Sequence, residues 1–201
     1  MNREDVKAAY FPGNGDLVIV MGEESEESIH DLCPECSMLF ISGFDWNTYL
    51  SPWPAPAVFR HGGDFGGKAD EMLEVITELS KEYPYDRLFI AGYSLAGLAA
   101  LYFCTKTDLF DGCVSASGSM WYPSFTEYLA EHSVQCEKVY LSLGNRENKT
   151  KNTVMASVLE NTAKANGMLS RYTQCICEMN EGGHFDHPEE RLAKGIRTII
   201  A

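Results

Sequence analysis

The sequence predicts an α/β domain with a mostly parallel central sheet and helices on both faces of that sheet. Apolar, strand-like runs alternate with amphipathic, helix-like segments along the whole chain, and this order is typical of parallel strands joined by crossover helices. No internal repeat, low-complexity tract or linker interrupts the alternation. We therefore expect residues 1-201 to form a single domain, with no separate lid domain.

Composition and charge narrow the function classes. The chain is 45% hydrophobic and 22% charged, as ordinary globular proteins are. A net charge of −13 disfavours nucleic acid and anionic membranes as partners, because both would be repelled. Neither a signal peptide nor an apolar stretch of membrane-spanning length is found in the sequence, and this predicts a cytoplasmic location.

The first half of the chain is predicted to hold three strands and two helices. Residues 17–21 form an apolar run of strand length that Gly22 closes. Residues 66–83 carry apolar side chains at helical spacing until Pro84 stops the pattern. The predicted elements are an edge strand and turn over 10–15, strands over 17–21 and 38–42, an acidic helix over 23–32 and a helix over 66–83.

The second half continues the alternation. Pro123 fits the first turn of one helix, and Gly167 fits the carboxyl-terminal stop of another. In the latter helix, the residues expected to face inward are Val154, Met155, Val158 and Leu159. The predicted elements are strands over 88–91, 112–117, 139–143 and 171–179, and helices over 95–102, 123–132, 150–166 and 188–200.

An aromatic loop, residues 43–56, follows the strand over 38–42. Three prolines are expected to keep it stiff and non-helical, and Trp46 and Trp53 help to make it apolar. The loop leaves the carboxyl end of a strand, where open α/β sheets bind their ligands. We therefore predict that it forms a pocket wall. A loop that packs its own aromatic side chains onto the domain is the alternative.

The stretch 87–103 carries the strongest functional signal. An apolar run ends in the sequence GYSLAG, after which a helix is predicted. A sharp strand–turn–helix places its serine in a strained conformation and exposes the hydroxyl, and the flanking residues must be small because strand and helix nearly touch. Gly92 and Ala96 meet that need, so Ser94 is the predicted nucleophile. A glycine-containing loop with a surface serine is the alternative that the motif alone leaves open.

A serine hydroxyl needs a base to remove its proton, and that base is usually a histidine. His184 is the predicted base, because it follows a strand in a loop that also contains Gly182 and Gly183. His187 is the nearest rival, but the helix that starts at Pro188 indicates a residue near the helix cap. The other histidines, which are predicted in or beside helices, are His30, His61 and His132.

The base in turn needs an acid that orients it, and in this arrangement the acid lies between serine and histidine in the sequence. Glu147 is the predicted acid, since it comes three residues after Gly144 at the end of a strand. Asp186 is close to His184 in sequence, but it would have to reach back to the ring. The acids predicted at the opposite edge of the sheet are Asp108, Asp111, Glu127, Glu131 and Glu137.

The motifs GYSLAG, SASGSMW, LGNRE and EGGHF, in this order, resemble those of an esterase family of the α/β-hydrolases that includes esterase D-like and enterochelin-esterase-like enzymes. The resemblance covers the chain from about Leu17 onward. It implies an α/β-hydrolase fold and a Ser-acid-His esterase. Two positions depart from the family pattern. Ala96 replaces the second glycine of the elbow, and Met21-Gly22 stands where the family has a His-Gly pair.

The oxyanion hole is predicted from backbone N–H groups. The N–H of Leu95 directly follows the nucleophile and is the first donor. By family position, the resemblance implies that the second donor is the N–H of Glu23, after Gly22. The backbone of Asp45 and Trp46 is the alternative.

The seven cysteines are interpreted as reduced, mostly buried thiols. Cys33 and Cys36 form a C-x-x-C pair, and Cys175 with Cys177 would complete four metal ligands. Nothing in the sequence brings the two pairs together, so we expect no metal and no cofactor. A redox role for Cys33 and Cys36 is disfavoured too, because no thioredoxin-like context surrounds them.

Taken together, these patterns predict a serine hydrolase that cleaves a carboxylic ester, or thioester, of a small molecule through an acyl-enzyme. An acyltransferase with the same triad and a non-catalytic binding protein of hydrolase fold are the alternatives. No feature of the sequence indicates an oligomeric state. An apolar or aromatic group is expected near the scissile bond, although Tyr93 is equally well placed as a core residue. The predicted substrate-binding residues are Trp46, Trp53, Tyr93 and Trp121.

Overall fold

A computed structural model describes residues 1–22, 27–58 and 62–201 of the chain. Within these ranges, nine strands and eight α-helices follow a short 3-10 helix, Arg3–Asp5. The strands are β1 Lys7–Phe11, β2 Asn14–Met21, β3 Cys36–Ser42, β4 Pro54–Ala55, β5 Phe65–Gly66, β6 Leu88–Tyr93, β7 Gly112–Ala116, β8 Lys138–Gly144 and β9 Gln174–Asn180. The helices are α1 Glu27–Leu32, α2 Trp46–Tyr49, α3 Ala69–Ser80, α4 Leu95–Lys106, α5 Phe125–Glu131, α6 Thr153–Ala156, α7 Val158–Leu169 and α8 Pro188–Ile200.

The central sheet has seven strands in the order β1-β3-β2-β6-β7-β8-β9. All neighbouring strands pair in parallel except the edge strand β1, which runs antiparallel to β3. The strands β4 and β5 form a separate two-residue ladder. The strand β6 therefore lies in the middle of the sheet, and the carboxyl ends of β6, β7, β8 and β9 share one edge.

Helices cover both faces of the sheet, as the sequence predicts. Along β6, Leu88 and Ile90 face one layer of core while Phe89 and Ala91 face the other, because successive side chains of a strand point to opposite faces. The first layer is closed by α3, α4, α5 and α7, and the second by α1 and α8. The predicted α/β class is confirmed.

Three details of the predicted helices are wrong. Pro123 precedes the N-cap residue of α5 instead of lying in the first turn of that helix. The helix predicted over 150–166 is broken at Ser157 into α6 and α7, and this break leaves Val154 and Leu159 exposed instead of inward. The chain also stays helical through Gly167. Glycine in a helix interior costs only about 1 kcal/mol of helix stability relative to alanine. The fully buried side chain of Leu169 favours continuation of the last turn.

The aromatic loop is not wholly irregular. Its first residues form the short helix α2, and the Asp45 carboxylate caps that helix by accepting a hydrogen bond from the Thr48 N–H at 2.8 Å. The prolines that predict an irregular loop all come after α2. Of the acidic helix predicted over 23–32, the structure describes α1, and residues 23–26 lie outside the described ranges.

The cysteines are all free thiols, and five of the seven are buried. Burial raises the pKa of Cys33 to about 11 and that of Cys36 to about 12, so neither is a thiolate near neutral pH. Five strand spacings, about 24 Å, separate β3 from β9 in the sheet, and one ion cannot bridge Cys36 to Cys175. In the described ranges, no helix has the length and apolar character of a membrane span.

Candidate active site

Ser94 occupies a sharp turn between β6 and α4. Its backbone has φ 59° and ψ −123°, a region that non-glycine residues avoid unless their surroundings hold them there. The Ser94 N–H donates to the Ala116 carbonyl at 3.0 Å, and the Ser94 carbonyl accepts from the Ser119 N–H at 3.0 Å. A Cβ on Gly92 would collide with the Ala96 backbone, which explains why glycine stands there.

The structure brings Ser94, His184 and Glu147 into one hydrogen-bonded chain. The Ser94 Oγ lies 3.1 Å from His184 Nε2, and His184 Nδ1 lies 2.8 Å from Glu147 Oε2. The three side chains come from the turns after β6, β8 and β9, whose carboxyl ends share one edge of the sheet. With Nδ1 donating to the carboxylate, Nε2 carries a lone pair that can accept a hydrogen bond from the serine hydroxyl.

The side chain of Glu147 is only 3% exposed, and both of its carboxylate oxygens accept hydrogen bonds. Oε1 accepts hydrogen bonds from the Gly144 N–H at 2.6 Å, the Ser117 hydroxyl at 2.7 Å and the Arg191 guanidinium at 3.2 Å. Burial by itself would raise the pKa of Glu147, but the hydrogen bonds from His184, Gly144 and Ser117 outweigh burial and lower the pKa. The carboxylate is therefore ionised near neutral pH.

The loop that carries His184 is held in place by its neighbours. The Tyr93 hydroxyl donates to the His184 carbonyl at 2.6 Å, and burial raises the pKa of Tyr93, so this hydroxyl keeps its proton. Gly182 has φ 106°, a conformation that favours glycine. Asp186 accepts from the Gly183 N–H at 2.8 Å and lies 3.4 Å from Arg146, where it faces solvent rather than the His184 ring.

Among the histidines of the described ranges, His184 is the one hydrogen-bonded to Ser94. His187 is at the start of α8, where its side chain is 76% exposed and lies 3.5 Å from Glu190. His132 stacks on Tyr128 at the end of α5. His61 lies outside the described residues.

A cavity of about 320 Å³ lies beside Ser94 and His184. Its wall is mostly apolar, and Glu189 contributes a carboxylate to the lining. Phe185, next to the histidine, is 89% exposed and lies edge-on to the His184 ring with centroids 5.1 Å apart. The lining residues are Met21, Gly22, Trp46, Tyr93, Ser94, His184, Phe185, Pro188, Glu189 and Leu192.

The predicted substrate-binding residues divide into two pairs. Trp46 and Tyr93 line the cavity, whereas its lining in the described part of the chain includes neither Trp53 nor Trp121. Trp53 packs its ring against α5 and donates its Nε1 hydrogen to the Pro123 carbonyl at 3.1 Å. Trp121 is buried in the core. Aromatic content predicted a pocket here, but it did not indicate which rings reach that pocket.

The first predicted oxyanion donor, the Leu95 N–H, is at the first position of α4, where backbone N–H groups lack partners within the helix. The Gly22 N–H is already bonded to the Ile41 carbonyl at 3.1 Å. Glu23, the second predicted donor, lies outside the described residues. Trp46, at the alternative position, contributes its side chain to the cavity wall.

Phe185, Ser117 and Arg191 complete the site and were missed by sequence reasoning. Phe185 and Ser117 lie inside the EGGHF and SASGSMW motifs, so their position next to predicted site residues was a usable signal. Arg191 gives no such signal, because an arginine in the second turn of a helix is usually exposed.

The chain has limited sequence similarity to a curated bacterial protein. No protein-family model matches it. The uncharacterized protein YbbA of Bacillus subtilis (strain 168) is 29% identical in an alignment of 150 positions, which covers 68% of this chain and 59% of YbbA. The chain thus spans about three fifths of the length of this curated relative.

Solved structures are similar over nearly the whole chain. Siderophore hydrolase EstB from Aspergillus nidulans matches with a TM-score of 0.72 at 14% identity, covering 96% of this chain and 88% of EstB. The enterobactin esterase FES from Shigella flexneri matches with a TM-score of 0.66 at 17% identity, covering 96% of this chain and 56% of FES. This likeness establishes the fold, and the chain has the α/β-hydrolase fold that its motifs predict.

Proposed function

We propose that this protein is a serine hydrolase that cleaves a carboxylic ester, or thioester, of a small molecule. The observation that carries the proposal is the chain of hydrogen bonds from the Ser94 hydroxyl through His184 to the buried Glu147 carboxylate. This chain ends beside a cavity of about 320 Å³. The strained backbone of Ser94 supports the same role, because strain of about 1–3 kcal/mol is typical of functional positions.

In the first half-reaction, Ser94 Oγ forms a bond to the carbonyl carbon of the ester. His184 Nε2 takes the hydroxyl proton, and the ionised Glu147 stabilises the imidazolium that results. The tetrahedral intermediate then collapses, the bond to the leaving oxygen or sulfur breaks, and His184 gives its proton to that leaving group. The acyl group is left on Ser94.

In the second half-reaction, a water molecule replaces the leaving group. His184 accepts a proton from this water as the water oxygen attacks the acyl carbon, and it returns the proton to Ser94 when the acid departs. The intermediate of each half carries a negative oxygen. We assign the N–H of Leu95 and that of Glu23 as its donors, with the Asp45–Trp46 backbone as the alternative, and one such donor contributes about 10²–10³ in rate.

The substrate is proposed to carry an apolar or aromatic group near the scissile bond. Trp46, Phe185 and Leu192 present apolar surface to the cavity. The described functions of EstB and FES, a siderophore hydrolase and an enterobactin esterase, support ester cleavage as the reaction class. The cytoplasmic location stays a prediction from the sequence.

A fluorophosphonate probe tests the nucleophile directly. We expect native protein to be labelled once, at Ser94, and Ser94→Ala and heat-denatured protein to remain unlabelled. A panel of short and long acyl esters with aryl or alkyl leaving groups then tests turnover. Absence of both labelling and hydrolysis would refute the proposal. Transfer of the acyl group to an added alcohol faster than to water would instead identify an acyltransferase.

A further inference from the structure

One buried arginine, which the proposed mechanism does not use, contacts the Glu147 end of the Ser94–His184–Glu147 hydrogen-bonded chain. Arg191 is on α8 and is 4% exposed, although its neighbours Glu189 and Glu190 are exposed. A buried guanidinium is unfavourable unless its charge and its N–H groups are matched. Glu147 is the carboxylate with which Arg191 forms an ion pair, and the Oε1 that it contacts is the oxygen not used by His184.

The guanidinium also contacts the other two segments that carry the proposed triad. Its NH1 lies 3.2 Å from the Tyr93 hydroxyl, next to Ser94 in the sequence. Its NH2 donates to the Glu181 carbonyl at 2.7 Å, in the loop that leads to His184. The same Tyr93 hydroxyl donates to the His184 carbonyl at 2.6 Å, so it links the guanidinium to the backbone of the proposed base.

We propose that Arg191 is a positioning residue for the triad, which holds Oε1 of Glu147 so that Oε2 faces His184. The inference rests on the proposed function, because the geometry it preserves is that of the acid and the base. One guanidinium group thereby joins the end of β6, the turn after β8 and the loop after β9.

The shape of the side chain explains why arginine stands at this position. Arginine presents five N–H donors on a planar fork, and here four acceptors surround that fork. A lysine ammonium has the same charge but presents its donors at a single atom. In the structure NH1 contacts Tyr93, Ser117 and Glu147, and NH2 contacts the Glu181 carbonyl. Lysine would therefore keep the ion pair with Glu147 and lose the contact to the Glu181 carbonyl.

The test compares Arg191→Met with Arg191→Lys and with a matched control, Arg197→Met. Arg197 is on the same helix and also donates to a backbone carbonyl, that of Leu32, at 2.6 Å. With p-nitrophenyl acetate as the probe, we expect Arg191→Met to lower kcat by about 10–100-fold with KM within about twofold, because a misplacement near 1 Å has that effect. Arg191→Lys should recover only part of the loss, and Arg197→Met should stay within about twofold of wild type.

A spectroscopic readout makes the test independent of turnover. The proton between His184 Nδ1 and Glu147 gives a far-downfield NMR resonance in the resting protein when the hydrogen bond is held. We expect Arg191→Met to shift or broaden this resonance and Arg197→Met to leave it unchanged. If wild-type protein hydrolyses no ester, the proposed function fails, while this comparison still decides the role of Arg191.

Three outcomes would overturn the inference. The first is a folded Arg191→Met protein with wild-type kcat and an unchanged resonance. The second is an equal loss in Arg197→Met, which would indicate general weakening of α8. The third is full recovery with lysine, which would leave charge alone as the cause. If Arg191→Met does not fold, Tyr93→Phe replaces it, because this change removes one hydroxyl of the network and should reduce kcat with little change in melting temperature.

Discussion

The two sides of the candidate active site are built differently. On one side, hydrogen bonds to the buried Glu147 carboxylate tie together the turns after β7, β8 and β9 and the helix α8. On the other side, the cavity wall consists of side chains such as Trp46 and Phe185, and Phe185 is almost fully exposed. The comparison indicates that the proposed triad is positioned by buried polar contacts, whereas the proposed selectivity depends on side chains of the cavity wall.

The largest effect is expected on the hydrogen-bonded side. Ser94→Ala and His184→Ala should each lower kcat by about 10⁴–10⁶, because the two residues act in one step. The double variant should lose no more than either single variant. Steady-state kinetics on p-nitrophenyl acetate measures this, and a multiplied loss in the double variant would show that the two residues act separately.

The second effect separates two acids that lie near the base. Glu147→Gln should lower kcat by about 10³. An amide has no negative charge to stabilise the His184 imidazolium, and it does not fix the tautomer of His184. Asp186→Asn is the matched control and should change kcat less than about threefold, since its carboxylate faces Arg146 and the Gly183 N–H. The reverse ranking in the same assay would make Asp186 the acid.

A smaller effect is expected on the side-chain wall. Phe185→Ala should raise KM for an aryl ester by about three- to tenfold and leave kcat nearly unchanged, because it removes apolar surface without touching the triad. Met179→Ala is the control, since Met179 is also an exposed apolar residue but is not among the cavity-lining residues. A fall in kcat with constant KM would instead give Phe185 a part in holding His184.

The smallest effect concerns stability against pH. The pKa of Glu147 is lowered in the folded protein, so its stabilising contribution is present above the unfolded value near 4.5 and is lost as the pH falls through the folded pKa. The free energy of unfolding of wild type should therefore decrease from pH 5 toward pH 3 more steeply than that of Glu147→Gln. The free energy of unfolding is measured by urea titration at each pH. Phe185→Ala should show the same pH dependence of this free energy as wild type. An equal pH dependence in Glu147→Gln and wild type would contradict the argument.

Much of this site is predictable from the sequence because strand ends and small residues are local signals. The small size of Gly92 and Ala96 on either side of Ser94 predicts the sharp turn. Glu147 and His184 each follow a predicted strand. Their catalytic roles stay predictions until they are measured.

Other features depend on tertiary packing that no local pattern encodes. Arg191 has the sequence context of a surface residue, and its burial depends on where α8 lies against the sheet. Trp53 and Trp121 are as aromatic as Trp46, and only the packing of α5 and the core withdraws them from the cavity. Gly167 has the sequence context of a helix end, but buried Leu169 keeps that helix going.

The position of Arg191 near the end of the chain also sets the order in which the residues of the candidate site are translated. Arg191 is translated 44 residues after Glu147 and 98 after Tyr93. At about 5–20 residues per second, the acid therefore exists for about 2–9 s before its guanidinium partner is made. Ser94, Glu147 and His184, the proposed nucleophile, acid and base, all precede Arg191 in the chain, so these three residues are translated before it.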